Sequence, residues 1–277
     1  MKFTKMQAAG NDFVLVNGLE EQKDNWNEFA KKVCDRHFGI GADGLMFCSE
    51  SEIADIKMHY YNSDGSRGEM CGNGIRCFSK FVFDNKIVDK KHFLVETDAG
   101  IKTIDLETDE NGEAIYLTVD MEKVNFRADS ITNIIDSETV LNRKVIVDGR
   151  EIILSSVLMG VPHTVVFVDD YSNYDVNDLG SKIEMLDIFK NKTNVNFVKK
   201  IDEKTLQIKT WERGAGRTLG CGTGCCASAA VAKKLGIVNE SKILMKAEGG
   251  DVQVELKEDY SIIMSGKANT VFEGKIF

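Results

Sequence analysis

Short apolar runs alternate with stretches of helical spacing from one end of the chain to the other, and the alternation occurs twice. In the first half, residues 13–16, 45–47, 56–61, 93–97 and 115–121 have the β-branched and aromatic composition of strands. A helix is expected after Asn25, where Trp26, Phe29, Val33 and His37 recur at helical spacing. A second is expected from Asn73, with Ile75, Phe78 and Val82 on one side. In the second half, strands are predicted over 152–157, 165–168, 206–211, 243–245 and 252–256, and helices over 178–189 and 224–235. A polar stretch at 122–130 reads as the boundary between the halves. The final apolar strand, 270–277, is expected to return to the first half. The domains predicted are 1–121 with 268–277, and 122–267.

Sliding the sequence by 150 positions aligns several of these features at once. Cys71-Gly72-Asn73-Gly74 falls on Cys221-Gly222-Thr223-Gly224, Tyr60-Tyr61-Asn62 on Thr210-Trp211-Glu212, Gly100 on Gly250 and Gly10 on Gly160. A common offset across separate regions points to two structurally related halves.

Composition narrows the function classes. A chain of 277 residues with 43% hydrophobic content can bury a sizeable core. Its net charge of −9 and the lack of a Lys/Arg run argue against a nucleic-acid partner. Neither a membrane-spanning run nor an apolar leader is apparent, so a cytoplasmic location is expected, with no membrane partner. Seven cysteines without an export signal read as reduced thiols, not a disulfide framework.

Two of those thiols carry the chemistry. In each half a strand and a Gly-rich turn lead to a cysteine and then to Gly-x-Gly opening a helix, which places Cys71 and Cys221 at helix N-termini. The partial positive charge there is expected to lower a thiol's pKa, and the first-turn amides suit an anion. Gly72-Asn73 and Gly222-Thr223 are therefore candidates to hold one substrate carboxylate, with the two thiols flanking its α-carbon. One thiolate would remove the α-proton while the opposite thiol returns a proton to the other face, inverting the centre. An isolated Cys-Gly-x-Gly is an ordinary tight turn; two at repeated positions call for a shared role. Cys221, Cys225 and Cys226 lack paired C-x-x-C spacing and the four histidines are dispersed, so neither a metal nor a pyridoxal cofactor is expected. Cys34, Cys48, Cys77, Cys225 and Cys226 read as core or helix residues.

At this point the residues resemble the diaminopimelate epimerase family across nearly the whole chain. The matching stretches are Lys5-Met6, Gly10-Asn11-Asp12-Phe13, Gly39-Ile40-Gly41-Ala42-Asp43-Gly44, Asn62-Ser63-Asp64-Gly65-Ser66 and Met70-Cys71-Gly72-Asn73-Gly74-Ile75-Arg76-Cys77. They continue with Pro162-His163, Thr193-Asn194-Val195-Asn196-Phe197, Glu212-Arg213-Gly214 and Cys221-Gly222-Thr223-Gly224.

The resemblance implies an α+β fold of two pseudo-symmetric domains, each a curved mixed or antiparallel β-sheet wrapped around a central helix. It implies cofactor-independent interconversion of LL- and meso-diaminopimelate, ahead of lysine and peptidoglycan precursor synthesis, by a homodimer acting on a small amino-acid substrate. Cys71 and Cys221 match its two bases, and His163 and Glu212 match neighbours that tune them. Asn11, Asn62, Asn194 and Arg213 match the residues that recognise the distal end of the substrate; chemically, Arg offers a fork to a carboxylate and Asn both donor and acceptor. One position departs from the pattern, since Val161 stands where the family usually has Asn. Asp43 and Asp64 read as turn residues outside the site. The alternatives are a racemase of another amino acid, such as histidine, on the same fold, and a thiol redox or anion-binding protein, against which stands the absence of C-x-x-C.

Overall fold

The 150-residue offset of the sequence is an offset of whole elements. The structure, a computed structural model, describes residues 1–134 and 136–276. The chain divides into two compact units, Met1–Asp120 with Ser265–Phe277, and Met121–Met264. The first contains β1 (Lys2–Ala8), β2 (Asn11–Val16), α1 (Trp26–Cys34), β3 (Gly44–Ser49), β4 (Ile56–Asn62), β5 (Arg67–Gly68), α2 (Gly72–Asp84), β6 (His92–Thr97) and β7 (Gly100–Thr108), and the chain leaves it along β8 (Ala114–Lys123). The second contains β9 (Val140–Val147), β10 (Arg150–Met159), β11 (Val161–Phe167), α3 (Val176–Glu184), β12 (Asn194–Lys200), β13 (Thr205–Glu212), β14 (Gly216–Thr218), α4 (Gly222–Lys234), β15 (Lys242–Ala247) and β16 (Gly250–Leu256). The chain returns along β17 (Ser261–Gly266) to β18 (Asn269–Lys275). Helices α1 and α3, and α2 and α4, begin 150 residues apart.

Register repeats as closely as length. The parallel pair β2 and β3 aligns Phe13 with Gly44, and β11 and β12 align His163 with Asn194. The antiparallel pair β6 and β7 sets His92 against Asp105, and β15 and β16 set Lys242 against Glu255. One hairpin breaks the match by a residue. Between β1 and β2 the chain turns through Ala9 and Gly10, both at positive φ, whereas between β10 and β11 it turns through Gly160 alone. Positive φ at successive positions is the condition for a tight hairpin turn, which is why glycine recurs there.

In both units a mixed sheet encloses one helix. α2 packs against β1, β2 and β3, and α4 against β10 to β13, β15 and β16. Both are buried nearly all round, as a helix inside a sheet must be. α2 fills its space with Ile75, Phe78 and Val82, whereas α4 does so with a run of Cys and Ala.

Some elements differ from expectation. α1 stops at Cys34, short of His37, because Asp35 leaves the helix in extended conformation and its carboxylate accepts from the amides of His37 and Phe38. α3 covers Val176–Glu184, not 178–189, with Asp175 as its N-cap. Strands β1, β5, β7, β9, β12, β14 and β17 lie outside the runs expected from sequence. The returning strand is β18, paired antiparallel with β1; Phe277, the last residue of the strand expected there, lies outside the described residues. No helix among the described residues is long and apolar enough to cross a membrane.

Candidate active site

In the first unit, β4 and β5 lead to Cys71, whose extended backbone caps α2. The Cys71 Sγ accepts from the amide of Gly74 at 3.4 Å and donates to Asn11 Oδ1 at 3.4 Å. Asn11 is oriented from behind, because its Nδ2 donates to Asp43 Oδ2 at 2.5 Å and a carboxylate can only accept. Asp43 also accepts from the Asp12 amide and from Arg36. Arg36 chelates Asp12, and Lys5 pairs with Asp12 at 2.7 Å. Burial alone would raise the Asp12 carboxyl, but the hydrogen bonds and charges of Arg36 and Lys5 outweigh it and bring it down to about 2.

The first turn of α2 is held from inside by Arg76, a fully buried guanidinium that donates to Gly72 O at 3.0 Å and Asn73 Oδ1 at 2.9 Å. The Asn73 side-chain oxygen is thus engaged within the helix. Asn62 bonds within its own turn, accepting from Tyr60 Oη at 2.6 Å and donating to Ser66 Oγ at 2.9 Å. Asp64 is the turn residue expected, accepting from the amide and hydroxyl of Ser66.

In the second unit Cys221 caps α4 in the same way, its Sγ accepting from Gly224 N at 3.4 Å and lying 3.4 Å from Thr223 Oγ1. The lowered thiol pKa expected of a helix N-terminus does not hold here. Burial and the nearby Glu212 carboxylate raise Cys221 well above the ordinary thiol range, outweighing the Thr223 and Gly224 bonds. Glu212 accepts from Thr218 Oγ1 at 2.6 Å. Asn194 spans two neighbours, donating from Nδ2 to Pro162 O at 3.0 Å and accepting from the Arg213 amide at 2.9 Å; Arg213 Nη1 donates to Asn191 O at 2.9 Å. His163 is fully buried, 3.3 Å from Asn196 Nδ2 through its Nδ1. Burial, with the Arg213 charge, brings its pKa down to about 3, so the ring is neutral.

The described residues contain no group of three or more His, Cys, Asp or Glu arranged to hold a metal ion. What each unit provides is a capped thiol, a helix N-terminus and a polar neighbour beside the sulfur. The diaminopimelate epimerase family model matches residues 3–127 and 155–271. The chain belongs to the diaminopimelate epimerase family.

As a family member it is an amino-acid epimerase. It is 42% identical over 277 residues to a diaminopimelate epimerase of Methanococcus maripaludis strain S2, covering 100% of this chain and 99% of that protein. It is 45% identical over 276 residues to that of Caldanaerobacter subterraneus subsp. tengcongensis, again covering 100% and 99%. Among solved structures, a hydroxyproline epimerase from Agrobacterium vitis with bound trans-4-hydroxy-L-proline superposes with a TM-score of 0.74 at 14% identity, over 99% of this chain and 91% of that one. A PhzF-family phenazine biosynthesis protein from Bacillus anthracis does so with a TM-score of 0.73 at 17% identity, over 100% and 99%. These two establish the fold alone.

Four residues of the epimerase's polar framework were left out of the site expected from sequence: Asp43, Arg76, Asn196 and Thr210. Asp43 looked like a turn residue, but it orients Asn11. Arg76 and Asn196 lie in the matched motifs, and Thr210 in a repeated position, with nothing local to mark them as buried. The offset supplies the signal for Asn196, since a polar residue stands where the first half has Met46.

Proposed function

We propose that this epimerase interconverts LL- and meso-2,6-diaminopimelate, on the route to lysine, by a two-base mechanism in which Cys71 and Cys221 serve opposite faces of one α-carbon. The observation that carries the reading is the repetition of a single device. At equivalent positions of the two units a thiol caps a buried helix and takes the third residue's amide. One thiolate takes the α-proton and leaves a carbanion whose charge spreads into the carboxylate. The first-turn amides of 72–73 and 222–223 suit that carboxylate, a contribution of roughly 3 kcal/mol for one well-placed oxyanion donor. The second thiol returns a proton to the opposite face. In the free protein Cys71 donates to Asn11, and Glu212 favours the protonated form of Cys221, so the thiol that acts as base first gives up its proton, for Cys221 to the neighbouring Glu212 carboxylate, while the other thiol stays the proton donor.

Asn11, Asn62, Asn194 and Arg213 are assigned to the distal amino-acid end. Arg213 and Asn194 are already tied together through the Arg213 amide, which supports reading them as one recognition unit. Val161 contributes no side-chain hydrogen bond, but the histidine-racemase alternative it raises is not favoured by full-length relatives named diaminopimelate epimerases. The test is incubation in deuterated water with LL-diaminopimelate, meso-diaminopimelate and L-histidine separately. Deuterium is expected at the α-carbon of diaminopimelate only; its absence there, or labelling of histidine instead, contradicts the assignment.

A further inference from the structure

We propose that Asn196 and Thr210 are positioning residues that fix the tautomer of His163, keeping Nδ1 bare and the proton on Nε2, so that the second unit presents a neutral imidazole N–H to its ligand. The catalytic consequence rests on the function proposed above; the tautomer does not.

The backbone carbonyl oxygen of Thr164 can only accept. Asn196 has one end of its side-chain amide 3.2 Å from the backbone carbonyl of Thr164, so that end is the NH2 group. The other end, Oδ1, then accepts from Thr210 Oγ1 at 3.1 Å. The second amide proton is directed to His163 Nδ1 at 3.3 Å, and a nitrogen that accepts carries no proton. Because the buried ring is neutral, its single proton sits on Nε2. Thr164 is itself braced, its Oγ1 lying 2.9 Å from both Ser156 and Thr193 hydroxyls.

His163 Nε2 is buried without a hydrogen-bond partner among the described residues. Buried polar groups are nearly always satisfied, and an orphaned N–H beside a candidate site is what a ligand would complete. The connection to Cys221 is short. A Cβ built on Gly224 would lie 2.4 Å from Asn196 Oδ1 and 3.2 Å from Cys221 Cβ, so Asn196 sits beneath the turn that carries the thiol. Packing alone does not call for this network. The first unit supports the equivalent glycine with the Met46 thioether, and Phe13 and Tyr60 occupy the positions of His163 and Thr210 in edge-to-face contact at 6.1 Å. The second unit has exchanged an apolar support for a polar one that leaves one donor unspent.

The experiment is 15N NMR of the full-length protein labelled at histidine, with His163→Gln to identify the resonances. A neutral ring protonated at Nε2 is expected at neutral pH. In Asn196→Asp the carboxylate accepts where the amide donated, so the proton should move to Nδ1 and kcat with diaminopimelate should fall roughly 10- to 100-fold, the usual effect of losing a histidine's orienting partner. Thr210→Val should move both readouts the same way and Thr210→Ser should restore them, which keeps the test decisive if Asn196→Asp fails to fold. A wild-type ring protonated at Nδ1 or at both nitrogens overturns the proposal. So does a variant with a switched tautomer and unchanged kcat. A wild type with the expected tautomer but no turnover of diaminopimelate upholds the tautomer and overturns the function proposed above.

Discussion

At the N-terminus of α2, Gly74 rests on the Met46 thioether with Phe13 and Tyr60 behind it; at the N-terminus of α4, Gly224 rests on the Asn196 amide with His163 and Thr210 behind it. The backbone registers that bring these residues together are the same, 150 residues apart. The residues around the sulfur differ as well. Asn11, which receives the Cys71 thiol, has Val161 as its counterpart, and Asn62 has Glu212. One scaffold therefore supports two chemical environments: a thiol bonded to an amide in the first unit, and a thiol beside a carboxylate in the second. Backbone repetition alone would not produce this division.

The strongest way to break the comparison is to ask whether both thiols are needed. Cys71→Ala and Cys221→Ala should each lower epimerisation about 10²- to 10⁴-fold, the range for a lost general acid or base, while melting curves stay close to wild type. Substantial inversion by either variant would leave one elbow with only a structural role.

Acid should act on the second unit through His163. Its folded-state pKa of about 3 lies below the unfolded value of 6.5, so its contribution to stability is fully present above pH 6.5 and is lost as the pH falls towards 3. Only the unfolded chain takes up the proton across that window. Between about pH 7 and pH 4 the loss from this group should be about 3 kcal/mol, read as the difference between wild type and His163→Gln in urea titrations. Equal slopes with pH for the two proteins would mean that the ring is already charged in the fold.

Arg213→Met keeps much of the aliphatic stem and removes the charge-assisted bonds assigned to the distal carboxylate. Diaminopimelate turnover efficiency should fall about 10- to 100-fold, while alkylation of Cys71 and Cys221 in the free variant proceeds at the wild-type rate. Unchanged turnover would remove Arg213 from substrate recognition.

The smallest effect is the most specific to the comparison. Gly74→Ala meets the free end of Met46, which can swing aside, and the gain in helix propensity of roughly 1 kcal/mol offsets the crowding. Gly224→Ala meets an amide held by His163, Thr164 and Thr210, so overpacking should cost about 1–3 kcal/mol. Chemical denaturation of the two variants should rank them in that order, and the reverse order would deny the rigidity ascribed to Asn196.

The repeat and both cysteine elbows were legible in the sequence because each rests on local signals: a Gly-x-Gly helix start, an apolar helix face and a strand before the turn. Strands β1 and β12 were not, because buried polar residues interrupt their patterns. Lys5 in β1 is paired with Asp12, while Asn194 and Asn196 in β12 satisfy neighbours from other strands. Those interruptions lie where the candidate site is assigned, so the residues that hide the strand are ones the proposed function draws on. The raised thiol of Cys221 was hidden for a related reason. A helix N-terminus can be read from sequence, but the burial of the sulfur and the approach of Glu212 depend on how β13 and α4 pack.

The central claim, that one thiol removes a proton and a different thiol returns one, is tested most directly by following wild-type enzyme at early conversion in deuterated water. A thiol carries a single proton, so two unlike bases should yield product with close to one deuterium at the inverted carbon, while recovered substrate keeps its protium. Product that retains the substrate's own proton, or substrate labelled as fast as product forms, would contradict the account.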